Sequence, residues 1–236
     1  MRHSVINHPI QLKSGEQREI ALFDTGLSRC VAREILDGHA YALLPFDVLE
    51  PDSVTTIFDV GANVGASCIY WLDNYPNARV FAYEPCLDSY SLLCANTGML
   101  NVVTHGVALG AEDGFTNLYH NVEDDVCNSL TNHKSHGHEK VVIERARHHI
   151  FGAADIVKID TEGSEYEILA DIEAWLVDIK VLYLEYHSEH HRRLIDELLS
   201  RTHTLWCSQS ERPHRGTLCV VRNDLIPTRF ADWAIE

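Results

Sequence analysis

The sequence predicts a doubly wound α/β fold whose mostly parallel sheet ends in an antiparallel hairpin. Three observations predict it. From about residue 54 onward, short apolar runs alternate with stretches of helical periodicity, the pattern of strands joined through crossover helices. The run Thr56-Ile-Phe-Asp-Val-Gly-Ala-Asn-Val-Gly-Ala-Ser67 passes from an apolar strand through a glycine-bearing turn into a helix. Two apolar runs near the C-terminus are separated by a polar connection too short for a crossover.

Taken in order, residues 1–50 read as an extension ahead of the core domain, 51–236, and a substrate cap is one role for it. Within the extension, 20–23 reads as a short strand and 30–36 as a helix stopped near Gly38. Residues 55–60 are apolar on both faces, as a strand covered on both sides must be. The helix that follows spans 66–74. The second strand is 79–83 and ends at Glu84-Pro85; the second helix is 87–96, with Leu87, Tyr90, Leu93 and Cys94 on one stripe. Further strands read at 102–107, 156–159 and 181–186, a helix at 192–200, and the closing pair at 202–207 and 217–221. The polar, then histidine-rich stretch 117–140 reads as a long loop or lid over the site.

Composition narrows the function. A chain of 236 residues with 45% hydrophobic content suits one large domain with a sizeable core. Nineteen basic against thirty-five acidic residues give a net charge of −16, which argues against nucleic acid or an anionic membrane as partner. Fifteen histidines offset part of that charge only below about pH 6.5. The seven cysteines, Cys30, Cys68, Cys86, Cys94, Cys127, Cys207 and Cys219, are odd in number and form no CxxC pair, so they read as free thiols in a reducing compartment. With no apolar core of signal-peptide length and no long apolar run, the expectation is a soluble, cytoplasmic protein acting on a small molecule, with homo-oligomerisation left open.

The glycine-bearing turn carries Gly61 and Gly65 around Asn63. A dinucleotide fingerprint has a second glycine where Asn63 stands, so that the backbone can reach a pyrophosphate. Its absence disfavours a nicotinamide cofactor and fits S-adenosylmethionine, which has no pyrophosphate. Glu84 follows Asp59 by 25 residues, at the end of the next strand, where a carboxylate can accept both hydroxyl protons of a ribose. A second apolar strand runs into Lys158-Ile-Asp-Thr-Glu-Gly-Ser-Glu165, and strand ends of an open sheet converge on one crevice.

Asp59-Val-Gly-Ala-Asn-Val-Gly65, Glu84-Pro85, Asn101-Val102 with Ala108-Leu109, the Lys158–Glu165 string and Glu185-Tyr-His187 together resemble the FkbM-type methyltransferases. The likeness spans about residues 54–199, and the K-x-D-x-E-G-x-E string is its most specific part. The resemblance implies a class I, Rossmann-like methyltransferase fold with a seven-stranded sheet, and S-adenosylmethionine-dependent methyl transfer to an oxygen of a small metabolite, sugar or natural product. By position, Gly61, Asn63 and Gly65 border the methionine part of the cofactor. Glu84 holds the ribose, and Asp59, Pro85, Ala108 and Asp160 complete the cofactor set. Asp160 and Glu162 face the methyl group and acceptor, with Lys158 nearby. The chain departs from the family where Arg145–Ile150 replaces a short leucine-aspartate element, and at Thr161 and Ser164.

Methyl transfer needs an aligned acceptor, and a hydroxyl acceptor also needs a base. The candidates are Asp160, Glu162 and His187, with Asp160 and His187 ranking equally; a carboxylate acceptor needs none. Clustered carboxylates raise the pKa of at least one member towards that task. The alternative for Lys158 and the acids is a buried ion-pair network that braces the sheet. Glu165 suits the positive end of the next helix. His133, His136, His138, His187, His190 and His191 could join Asp160 at a metal, but no standard zinc spacing is present and a divalent metal is not favoured. Tyr41, Asn128 and Trp206 are candidates for the acceptor pocket. Competing readings are transfer to nitrogen or to a carboxylate, and a non-catalytic binding protein on the same fold.

Overall fold

The computed structural model describes residues 4–120, 130 and 137–231. The chain opens with an antiparallel hairpin of β1 (Val5–Gln11) and β2 (Gln17–Phe23), followed by helix α1 (Gly26–Leu36). Thr25 starts α1 by accepting from Ser28 N at 3.1 Å, which satisfies one first-turn donor. Then come β3 (Thr56–Val60), α2 (Ala66–Asn74), β4 (Arg79–Tyr83), α3 (Leu87–Thr97) and β5 (Val102–His105). Next are β6 (Ala108–Gly110), β7 (Gly114–Tyr119) and β8 (His138–Arg145). The chain continues through β9 (Ala154–Ile159), α4 (Glu165–Asp171), β10 (Ile179–Tyr186) and α5 (Glu189–Leu199) to a final hairpin of β11 (His203–Arg212) and β12 (Arg215–Arg222).

Seven strands form the main sheet in the order β11-β12-β10-β9-β3-β4-β5. The five from β10 to β5 pair in parallel, and β12 runs antiparallel between β10 and β11. The alternation along each strand sorts its side chains to two cores. Phe58, Val157 and Leu182 face Ile168 of α4 and Ile195 of α5. Ile57, Ile156 and Val181 face Trp71 of α2, around which Tyr41, Tyr70 and Tyr183 pack. All six residues of central β9 are buried, so even its lysine is taken out of water. At the start of the sheet, Asp155 Oδ2 accepts from the amides of Thr55 at 2.7 Å and Thr56 at 3.0 Å. Its Oδ1 lies 2.7 Å from Lys180 Nζ, so one carboxylate ties the entries of three neighbouring strands.

Two expectations are corrected. Residues 114–119 and 138–145, within or beside the expected loop 117–140, are strands that pair antiparallel, with β6 on the other side of β8. The middle of that stretch, including Cys127, Asn128, His133 and His136, lies outside the described residues. The strand expected at 102–107 ends at His105, and the chain crosses to the second sheet at Ala108.

The N-terminal hairpin and α1 pack on the core domain. Ile20, Leu22 and Ala32 share a cluster with Val64, Ala66 and Ile69. Asn96 of α3 bonds both the N–H and the C=O of Ala21 and also donates to Val64 O at 2.7 Å. Tyr70 and Tyr183 hydroxyls donate to the carbonyls of Tyr41 and Ala42 at 2.5 and 2.7 Å. This fixes residues 39–42 beside the carboxyl ends of the strands. Among the described residues the six cysteines are free thiols, and no helix is long and apolar enough to cross a membrane.

Candidate active site

A cavity of about 590 Å³ opens at the carboxyl ends of β3, β4, β9 and β10. The turn after β3 forms one side. Gly61 adopts φ +80°, and a Cβ there would sit 1.8 Å from Asp160 O, so only glycine lets the ends of β3 and β9 run this close. Asn63 follows at φ +47°, a conformation asparagine tolerates better than most residues. That twist points its amide at Glu84, whose Oε2 accepts at 2.9 Å, while Oε1 accepts from Cys86 N at 2.8 Å. Glu84 is 7% exposed. Burial pushes its pKa up to about 7, against the pull of those two amides and of Lys158.

The turn after β9 forms the other side and is built differently. Lys158 Nζ, buried beneath the floor, donates to Gly61 O at 2.5 Å and lies 3.2 Å from Asp59 Oδ1 and 4.0 Å from Asp160 Oδ2. Burial favours the neutral amine, but the surrounding Tyr41, Asp59 and Asp160 outweigh it and hold the ammonium charged. Glu162 sits at φ +56°, a conformation that costs a non-glycine residue roughly 1–2 kcal/mol. The strain turns its carboxylate towards Arg215, 3.2 Å away, and towards His187 Nε2 at 3.1 Å. Arg215 reaches in from the final hairpin and also meets Glu185 Oε1 at 2.6 Å.

Glu165 organises this loop from below. Its Oε1 accepts from the amides of Thr161 and Gly163 at 3.0 and 2.9 Å and meets His187 Nδ1 at 3.1 Å. Burial would raise its pKa, but His187 and those amides hold it below the usual carboxylate range. Burial would lower that of His187, but contacts with Glu162, Glu165 and Glu185 push it up to about 12. At neutral pH the ring is therefore an imidazolium with no lone pair to offer. Asp160 is the contrasting case. Burial and the Glu185 carboxylate beside it raise its pKa well above the usual range, while Lys158 pulls the other way. Asp160, Glu185 and His187 converge closely enough for a cation. The negative charge of the two carboxylates is already met by Lys158, the His187 imidazolium and Arg215.

Of the residues singled out in the sequence, Gly61, Asn63, Glu84, Pro85, Ala108, Lys158, Asp160, Glu162 and Tyr41 line the cavity. Asp59, Gly65 and His187 do not. Asp59 is fully buried and holds Lys158. At Gly65, φ is +89° and a Cβ would meet Leu93 Cδ1 at 2.9 Å, so the glycine serves the packing of α3 on the turn. His187, expected as a base, is the cation that gathers the three glutamates. Trp206 packs edge-on against Phe230, away from the cavity, and His191 lies 3.8 Å from Glu167 on the outer helices. One wall element was not anticipated: Arg215, whose trace in the sequence is the surplus of acids that needs a cation. The face of α1 that carries Leu27, Val31 and Ile35 also lines the cavity, from the extension for which a substrate cap was one expected role.

The sheet order, the antiparallel strand near one edge and the cavity at the carboxyl ends define a class I, Rossmann-like methyltransferase. A family model described as the methyltransferase FkbM domain matches residues 59–205, more than half of the chain, and the protein belongs to that family. It is an S-adenosylmethionine-dependent methyltransferase. The chain is 27% identical over 184 residues to Methyltransferase 1 of Beauveria bassiana (strain ARSEF 2860), covering 65% of this chain and 72% of that protein. Over 77 residues it is 34% identical to methyltransferase sdnD of Sordaria araneosa, covering 33% of this chain and 27% of that one. Among solved structures, methyltransferase FkbM from Methylobacillus flagellatus KT aligns over 79% of this chain at 17% identity and TM-score 0.48, spanning about half (52%) of that chain. The Methanococcus jannaschii fibrillarin pre-rRNA processing protein aligns over 92% of this chain and 82% of its own at 12% identity and TM-score 0.51, a likeness of fold.

Proposed function

We propose that the protein methylates a hydroxyl oxygen of a small-molecule acceptor, with Asp160 as the general base. The observation that carries this reading is that one cavity is lined both by the Asn63–Glu84 pair and by Asp160, whose raised pKa suits proton acceptance near neutral pH.

The residues fit S-adenosylmethionine. Glu84 is a buried carboxylate on the cavity wall with two amide donors, and a carboxylate has about four acceptor sites. Two sites remain for the ribose hydroxyls. Pro85, Ala108 and Leu109 offer an apolar surface beside it for the adenine. When bound, the cofactor supplies a methyl group on a sulfonium, activated for in-line attack. The rest is the work of the chain. Asp160 takes the acceptor's proton; Lys158 keeps Asp160 in place and limits how far its pKa rises. Glu162, held by Arg215 and His187, positions the acceptor, while α1 and Tyr41 wall off water. Net charge −16 disfavours an RNA acceptor, and the apolar face of α1 suits a hydroxylated molecule with an apolar skeleton.

Calorimetric titration tests the donor: S-adenosylmethionine and S-adenosylhomocysteine should bind with micromolar affinity, and NAD should not. A screen of hydroxylated metabolites then tests the acceptor. If amines or carboxylates are methylated and alcohols are not, the oxygen reading and the base role of Asp160 both fall.

A further inference from the structure

Behind Pro85, outside the cavity wall, three side chains from three separate elements converge. Cys86 precedes α3, His120 follows β7 and Glu139 lies in β8, yet their donor atoms are all within 4.8 Å of one another. A thiolate, an imidazole and a carboxylate are donors that zinc takes readily. Two further observations point to a cation among them. Glu139 Oε1 is shielded from solvent and, among the described residues, accepts no hydrogen bond, a costly state for a carboxylate oxygen. The same atom stands 3.9 Å from His120 Nε2. Two nitrogen or oxygen donors on a tetrahedral ion, with bonds of ~2.0–2.1 Å, are about 3.3 Å apart, so this pair needs to close by roughly half an ångström. Cys86 is buried in a small apolar cluster with Ala108, Leu118 and Val141, which would screen a metal–thiolate bond from water.

We propose that Cys86, His120 and Glu139 bind a divalent ion of the zinc type. Binding forms three protein–metal bonds and releases the thiol proton to solvent, leaving one position for water. The ion clamps the β7–β8 ribbon to the segment that carries Glu84 and Pro85. Cys86 N already donates to Glu84 Oε1 at 2.8 Å, so the clamp also steadies the cofactor end of the cavity. The inference stands apart from the acidic centre and from the identity of the acceptor.

The test uses the full chain, stripped by chelator and titrated with Co²⁺ and then Zn²⁺. One equivalent of Co²⁺ should produce a thiolate-to-cobalt charge-transfer band, and one equivalent of Zn²⁺ should abolish it. Cys86→Ser should remove the band. His120→Ala, at a side chain 39% exposed and so tolerant of change, should weaken Co²⁺ binding at least about tenfold. Should Cys86→Ser fail to fold, His120→Ala decides alone. No band in the native chain, or affinity unchanged by His120→Ala, overturns the proposal, since the chain has seven cysteines and any ion would then sit on another.

Discussion

The two ends of the cavity are built on opposite principles. At the Glu84 end a single carboxylate is held by backbone amides, and the shape comes from turn dihedrals within a short stretch of chain. At the Asp160 end, four carboxylates (Asp160, Glu162, Glu165 and Glu185) are balanced by Lys158, His187 and Arg215, contributed by β9, β10, β12 and the loops between them. The first end is a local mould, suited to a ligand that never varies. The second is a balance of charges in which each group sets the protonation of the next. Substitutions there should alter chemistry and stability without touching cofactor affinity, whereas at Glu84 cofactor affinity should fall most.

The largest expected effect is at Asp160. Asp160→Asn should lower kcat by about 10²–10⁴-fold, the usual worth of a positioned base, while the dissociation constant for S-adenosylhomocysteine stays within about threefold. Equal damage to both would merge the two ends into one unit and end the contrast. The native rate should also fall as pH drops through the raised pKa of Asp160, since the base works only when deprotonated.

Next is Lys158→Met. It leaves Asp59 fully buried without its cation, which costs about 3–5 kcal/mol, and Tm should fall by roughly 6–20 °C. A thermal melt checks it. A stable variant would mean that Asp59 goes neutral at little cost and that the brace is dispensable.

Glu84→Gln should weaken S-adenosylmethionine by about 10–100-fold, the loss of a charged acceptor, and lower Tm less than Lys158→Met does, since one of the two backbone amides loses its acceptor. Calorimetry reads this directly. Unchanged affinity would remove Glu84 from the ribose role.

The last effect is a pH dependence of stability. The pKa of His187 is raised from about 6.5 to about 12 on folding, so its contribution is complete below pH 6.5 and declines as pH rises above that value. That of Glu165 is lowered, so its contribution is present above about pH 4.5 and lost on acidification through its folded pKa. In urea unfolding, the stability gap between native protein and His187→Gln should be widest near pH 5–6.5 and narrow by pH 9. A gap that widens with pH would contradict the imidazolium.

The same contrast decides what could be read from the chain. β3, α2 and β4, with Gly61, Asn63 and Glu84 at their ends, were legible because strand, turn and helix signals lie within thirty residues of one another. The strand that carries Lys158, β9, was legible for its apolar run. The role of His187 was not, since its charge depends on Glu162 and Glu165, which only the folded sheet brings to it. Asp59 looked like a ligand contact because a strand end carries no mark of whether a side chain faces the crevice or the floor beneath it. β7 and β8 were missed because the segment joining them is mostly polar and hides the strands on either side.

Arg215 follows Glu162 by 53 residues. At translation rates of about 5–20 residues per second, it is made roughly 3–10 s after Glu162. During that interval the Gly61–Glu84 mould can already take shape, while Glu162 and Glu185 still lack the guanidinium that joins them. The acidic centre is therefore completed by a hairpin that is synthesised after all its carboxylates.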